Sequence, residues 1–162
     1  MRIYRSLSLL FTLLVVAGCS SHSSFNHEFA SGHYASDAEQ CALYARRVSG
    51  VELYGDAYRW WDEAASRYER GHLPEPGAVL VLKRTSRMHS GHVAVVKNVM
   101  DSRQINITHS NWGNNSSSRQ IIYDSMRVED VSPTNNWTQV RFWNDEKNVF
   151  GFPYEAYGFI YP

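Results

Sequence analysis

The chain has 162 residues, the size of one domain, and its 43% hydrophobic and 14% aromatic content is enough for a packed core. A domain near this length buries roughly 70% of the surface its unfolded chain exposes. Lys plus Arg and Asp plus Glu stand at 16 each, so no global field draws the chain to nucleic acid or to an anionic membrane.

The N-terminus reads as an export signal. Arg2 and Arg5 form a basic n-region, and Leu7 to Val16 is an apolar run broken only by Ser8 and Thr12. The run is shorter than the ~20 apolar residues that span a bilayer. It ends in Val16-Ala17-Gly18-Cys19, which resembles a bacterial lipobox, so Cys19 is the expected lipidation site and the new N-terminus after residues 1–18 are removed. Ser20 rather than Asp follows it, and under the usual sorting rule that places the protein at the outer membrane, facing the periplasm. Lipidation at Cys19 leaves Cys41 as a solitary thiol without an intramolecular disulfide partner. In an oxidising compartment such a thiol is either buried or used.

Residues 19–35 are rich in Ser, His, Gly and Asn and form the expected tether. The globular part spans 36–162. Ser36-Asp37-Ala38-Glu39 has the form of a capping box, predicting a helix over Ala38 to Val48 with Cys41, Tyr44, Ala45 and Val48 on one face and Gly50 as its stop. A second helix is predicted from Asp56 to Arg70, ended by Gly71. Strands are then predicted at Ala78 to Lys83, after the Pro76-Gly77 turn, at His92 to Val99 and at Gln104 to His109. Others are predicted at Gln120 to Tyr123, Thr138 to Trp143 and Tyr157 to Tyr161, with Asn111 to Ser118 as a polar loop. Helices first and strands afterwards indicate an α+β fold, with N-terminal helices packed on an antiparallel β-sheet.

Two residues carry the chemistry. Cys41 falls in the first turns of the first helix, where free N–H groups and partial positive charge favour a thiolate. On position alone it is equally a core residue, since cysteine on an apolar helix face is often just buried. His92 opens the clearest strand, with His92, Ala94 and Val96 on one face and Val93, Val95 and Lys97 on the other. An imidazole there suits a general base that takes the thiol proton and returns it to a leaving amine.

The segments Gln40-Cys41-Ala42-Leu43-Tyr44-Ala45-Arg46, Pro76-Gly77-Ala78-Val79, Gly91-His92-Val93-Ala94-Val95-Val96 and Asn111-Trp112 occur in that order. The ordered set resembles the CHAP domain, the cysteine- and histidine-dependent amidohydrolase/peptidase group of the papain-like NlpC/P60 superfamily. The resemblance implies a papain-like fold with a helix-borne Cys41 against a sheet-borne His92. It also implies cleavage of a peptidoglycan amide bond, either between muramic acid and L-alanine or within the peptides. The family often places an acid on the strand after the histidine strand. Here His109 takes that orienting position and Asn111 follows, so either is the third polar group. His109 is expected to accept the Nδ1–H of His92.

The Cys41 N–H is the natural oxyanion donor. Gln40 either adds an amide to it or caps the helix. Tyr58, Trp60, Trp61 and Trp112 line a substrate groove or belong to the core. His89, His92 and His109 lack the companion ligands of a zinc or calcium site, so no metal and no cofactor are expected. The partners expected are peptidoglycan and, through the lipid on Cys19, the membrane. A monomer without nucleic acid is expected. Two other functions fit the same residues: a non-catalytic peptidoglycan-binding lipoprotein, and an amidase of a substrate outside the cell wall.

Overall fold

The computed structural model describes residues 31–34 and 39–162. The signal run, Cys19, most of the tether and the Ser36 to Ala38 part of the capping box lie outside the described residues. The elements in chain order are β1 (Ser31–Tyr34), α1 (Cys41–Ser49), α2 (Trp60–Glu63), β2 (Glu69–Gly71), β3 (Val79–Leu82), β4 (His92–Val99), β5 (Gln104–Ser110), β6 (Ile121–Asp130), β7 (Gln139–Asn144), β8 (Val149–Phe150) and β9 (Tyr154–Tyr161). No helix among the described residues is long and apolar enough to cross a membrane.

Every strand pairing is antiparallel, and the sheet closes on itself. The order β6-β5-β4-β3-β9-β7 returns to β6 through a β6–β7 pairing. Closure depends on strands that serve two partners along one edge. On β6, Ile121 to Ser125 pair with β1 and Val128 to Asp130 pair with β7. On β9, Tyr154 and Glu155 pair with β7 while Phe159 to Tyr161 pair with β2. The expected antiparallel sheet under N-terminal helices is therefore a closed six-stranded barrel with a small helical cover. Closure removes most of the exposed strand edge.

Alternation along the strands divides the core into two. Leu80, Leu82, Ala94, Val96, Ile105, Ile107, Val128, Phe142 and Phe159 fill the barrel. Val79, Val81, Val93, Val95 and Ile160 point outward and pack with Ala45, Leu53, Trp60 and Ala64 of the helical side. Strand β3, buried on both faces, is accordingly an unbroken apolar run of Val-Leu-Val-Leu.

Helix α1 starts at Cys41, later than predicted, with Gln40 as an N-cap in extended conformation and no side-chain cap. It ends as predicted at Gly50, whose φ of 78° allows its N–H to reach the Arg46 carbonyl. Val48 is 41% exposed, so the buried face is shorter than the sequence pattern implied. The predicted second helix is a single α turn, α2, between 3-10 turns at Ala57–Arg59 and Ala64–Ser66. Its last residues become β2, because Glu69 to Gly71 find a partner in β9.

Candidate active site

Two hydrogen bonds seat α1 on the outer face of β5. The Tyr44 hydroxyl and Thr108 Oγ1 are 2.6 Å apart, and Ser110 Oγ donates to the Glu39 carbonyl at 2.7 Å. Both strand residues alternate with the barrel-filling Ile105 and Ile107, so they face the helix. This seating sets Cys41, the first helical residue, against the start of β4. Its thiol is free, and the backbone N–H groups of Val93, Ala42 and Cys41 face the sulfur. Burial nevertheless raises the thiol pKa, outweighing the lowering by those N–H groups. Desolvation thus opposes the thiolate that the helix start favours, and the raised pKa leaves the thiol protonated near pH 7.

Gly91 delivers His92. Its φ is 69°, and a Cβ there would lie 2.8 Å from both the backbone N and Cβ of Tyr58. Only glycine combines that conformation with so close an approach. Tyr58 N–H donates to the Ser90 carbonyl at 3.0 Å, fixing the turn from the other side. Beyond it, His92 shares the barrel-facing side of β4 with Ala94 and Val96.

The β4–β5 register, which pairs Val95 with Thr108, places His109 diagonally from His92 on that same side. Their rings meet through a 2.9 Å hydrogen bond between His92 Nε2 and His109 Nδ1. His109 contacts His92, the residue it was expected to orient, at Nε2 and not at the expected Nδ1. Nδ1 of His92 takes no part in this bond. Burial pushes the His92 pKa down to about 3. His109 is also held well below its ordinary value, by burial first and by His92 second. Both are neutral near pH 7. For Nδ1 of His92 to accept a proton, its own hydrogen must sit on Nε2 and be donated to His109 Nδ1. His109 then carries its hydrogen on Nε2, which is buried without a hydrogen-bond partner.

Aromatic rings surround this pair. Trp112 lies with its centroid 4.7 Å from His92 and 5.6 Å from His109, and it stacks on Phe142 at 4.5 Å. Phe142 also stacks on His109 at 5.8 Å, and Tyr123 closes the other side at 5.3 Å. Trp112 therefore covers the imidazoles. Trp60 is fully buried in the core, and Trp61 stacks on Tyr157 at 6.0 Å.

Asn111 makes its side-chain hydrogen bond to Gln40 and not to His92 among the described residues. Strand β5 ends at Ser110, and Asn111 turns to a φ of 54°. Its amide then donates to Gln40 Oε1 at 2.7 Å. Gln40, placed by the sequence as an oxyanion donor or an N3 cap, is the N-cap residue, and its amide oxygen is held by Asn111. The structure thus brings together His92 with His109, and Gln40 with Asn111. Cys41 lies beside them at Val93, and no hydrogen bond joins its sulfur to the His92 ring among the described residues.

Reasoning from sequence missed the aromatic lining by Phe142 and Tyr123, since nothing local in β6 or β7 says which barrel end they face. It also missed a groove of about 260 Å³ that runs from Cys41 along α1, lined among others by Gln40, Leu43, Arg46, Asp56 and Ser90. No group of three or more His, Cys, Asp or Glu suited to a metal ion occurs among the described residues.

A family model for the CHAP domain matches residues 30–111, which span Cys41, His92, His109 and Asn111. The chain belongs to the CHAP domain family. No curated protein matches it. A solved structure of N-acetylmuramoyl-L-alanine amidase from Staphylococcus aureus is similar at 25% identity and a TM-score of 0.40, over 53% of this CHAP chain and 30% of the amidase chain. The chain thus spans under a third of that protein's length.

Proposed function

We propose that this CHAP protein is a peptidoglycan hydrolase that cuts an amide bond with Cys41 as nucleophile and His92 as general base. The observation carrying the proposal is the CHAP match over 30–111, within which Cys41 opens α1 directly beside the strand that His92 opens. The arrangement supports a papain-like relation between helix-borne thiol and sheet-borne imidazole. The bond cut is that between muramic acid and L-alanine or one within the peptides. Residues 1–18 act as a signal, and lipid on Cys19 holds the enzyme at the outer membrane, facing the periplasm, as a monomer.

Because thiol and imidazole are both neutral at rest, the proton moves as the carbonyl is attacked. His92 Nδ1 takes the Cys41 proton while Sγ bonds to the carbonyl carbon. The oxyanion forms at the N-terminus of α1, where the Cys41 N–H and the Gln40 amide are the donors. Collapse breaks the C–N bond, and His92 protonates the leaving amine. Water, deprotonated by His92, then hydrolyses the thioester and frees the acid. His109 holds the His92 tautomer throughout.

A second reading, a lipoprotein that grips peptidoglycan without cutting it, is favoured by a specific observation: His92 bonds a neutral histidine and not a carboxylate. Mass spectrometry of sacculi treated with the soluble domain separates the readings. An amidase frees whole stem peptides, an endopeptidase shortens or separates them, and a binder releases nothing. Release by a Cys41→Ala variant at the wild-type rate would overturn the cysteine mechanism.

A further inference from the structure

Adjacent arginines on α1 have different surroundings. Arg47 pairs with Glu39, its Nη2 2.7 Å from a carboxylate oxygen. Arg46 makes no ion pair among the described residues, and its guanidinium lies over the Tyr54 ring at 4.5 Å from the centroid. Tyr54 is in turn held by its hydroxyl, which donates to Glu52 at 2.9 Å. A cation set on an aromatic face keeps its outer N–H donors free for a planar anion. Arg46 also lines the groove that contains Cys41. Five residues of helix put their Cα atoms about 7.5 Å apart along the axis, and helical side chains lean back towards the N-terminus. Cys41 and Arg46 both border the one groove, so a peptide lying in it passes the guanidinium as well as the thiol. Asp56 lines the same groove, and Leu43, 47% exposed, supplies an apolar edge.

We infer that Arg46 is a carboxylate receptor in the substrate groove, recognising a free carboxylate on the peptide within about one residue of the amide that Cys41 attacks. The inference deepens the proposed hydrolase and rests on it for the identity of the substrate. Its chemistry is that of an acidic peptide: a side-chain or α-carboxylate docks on Arg46 in a bidentate pair, and an amine on the same peptide is matched by Asp56. Replacing that carboxylate by a carboxamide removes the charge and the paired acceptor, so the groove discriminates acidic from amidated peptides.

The test uses Cys41 itself as reporter. Iodoacetate and iodoacetamide react in the same way: the sulfur displaces iodide, and the thiol proton passes to base. Only iodoacetate carries a carboxylate. The wild-type protein at low ionic strength is expected to favour iodoacetate over iodoacetamide, relative to a free thiol, by about three- to tenfold. Arg46→Gln is expected to abolish the preference, while Arg47→Gln, which removes the same charge one residue away, leaves it intact. An equal loss in both variants, or an unchanged preference in Arg46→Gln, overturns the inference. Cleavage of paired peptides ending in carboxylate or carboxamide then reads the same site in the reaction. If sacculi are not cleaved yet the alkylation preference follows Arg46, the hydrolase proposal fails and the receptor stands.

Discussion

His92 Nε2 and His109 Nδ1 share a 2.9 Å hydrogen bond across neighbouring antiparallel strands, roofed by Trp112. The partner of the His92 imidazole is thus a neutral ring, which adds no negative charge to stabilise an imidazolium. In a site of this kind the acceptor atom matters more than the residue's charge. Replacing His109 by Leu, which removes the acceptor, is expected to lower kcat by about a hundredfold with little change in KM. Asn at the same position keeps an acceptor oxygen and retains most of the activity. Steady-state rates on solubilised peptidoglycan distinguish the two, and equal losses in both variants would contradict the orienting role.

The same burial makes stability fall in acid. Both imidazoles have folded pKa values below the unfolded value of about 6.5, so the unfolded chain binds more protons as pH drops. Their contribution is fully present above about pH 6.5 and is lost as pH falls towards the folded value of about 3 for His92. His92 removes about 1.4 kcal/mol per pH unit in that window, or about 2 kcal/mol by pH 5, and His109 acts in the same direction. Urea unfolding between pH 7.5 and 5 measures it. A flat stability profile would show that the rings are not held neutral.

Trp112→Ala opens the roof over the pair. Water reaching His92 relieves its desolvation, so its pKa rises towards the ordinary histidine value. The acid limb of the kcat/KM profile is expected to move to higher pH in this variant. An unmoved limb would mean that Trp112 does not keep the imidazoles dry.

Gly91→Ala combines a left-handed φ of 69° with a Cβ 2.8 Å from the Tyr58 backbone. The strain and the displaced turn are expected to cost about 1–3 kcal/mol, read as a lower urea midpoint with unchanged m-value. The same variant loses activity beyond its loss of folded protein, since His92 is the next residue. A neutral effect on both would contradict the tight passage described for this turn.

The parts of the site written in local sequence are the parts that sequence reasoning places well. Strand β4 runs from His92 to Val99 as its alternation predicts, and Gly50 ends α1 through its own conformation. Of the segments that carry the CHAP resemblance, Gln40 to Arg46, Gly91 to Val96 and Asn111-Trp112 meet near Cys41 and His92, while Pro76 to Val79 lies along Val95 and Val96, farther up β4. What escapes depends on distant partners. Barrel closure needs β6 to meet β7, and β6 runs ten residues, Ile121–Asp130, where four were predicted. Polar Asp124 and Ser125 interrupt its apolar pattern while β1 and β5 supply the ladder bonds on either edge. The second helix was overpredicted because its aromatic periodicity serves packing on the barrel and not a regular helix. Asn111 lies two residues past His109, but the strand ends at Ser110 and the positive φ of Asn111 turns its side chain towards Gln40, a change that residue spacing does not reveal.

Cys41 is proposed to perform the reaction with His92, and release of peptide fragments from purified sacculi by wild type, Cys41→Ala and His92→Ala, at matched concentrations of folded protein, is the decisive measurement. Both substitutions are expected to reduce release to background while the variants still unfold cooperatively. Sustained release by the folded Cys41→Ala protein would contradict it.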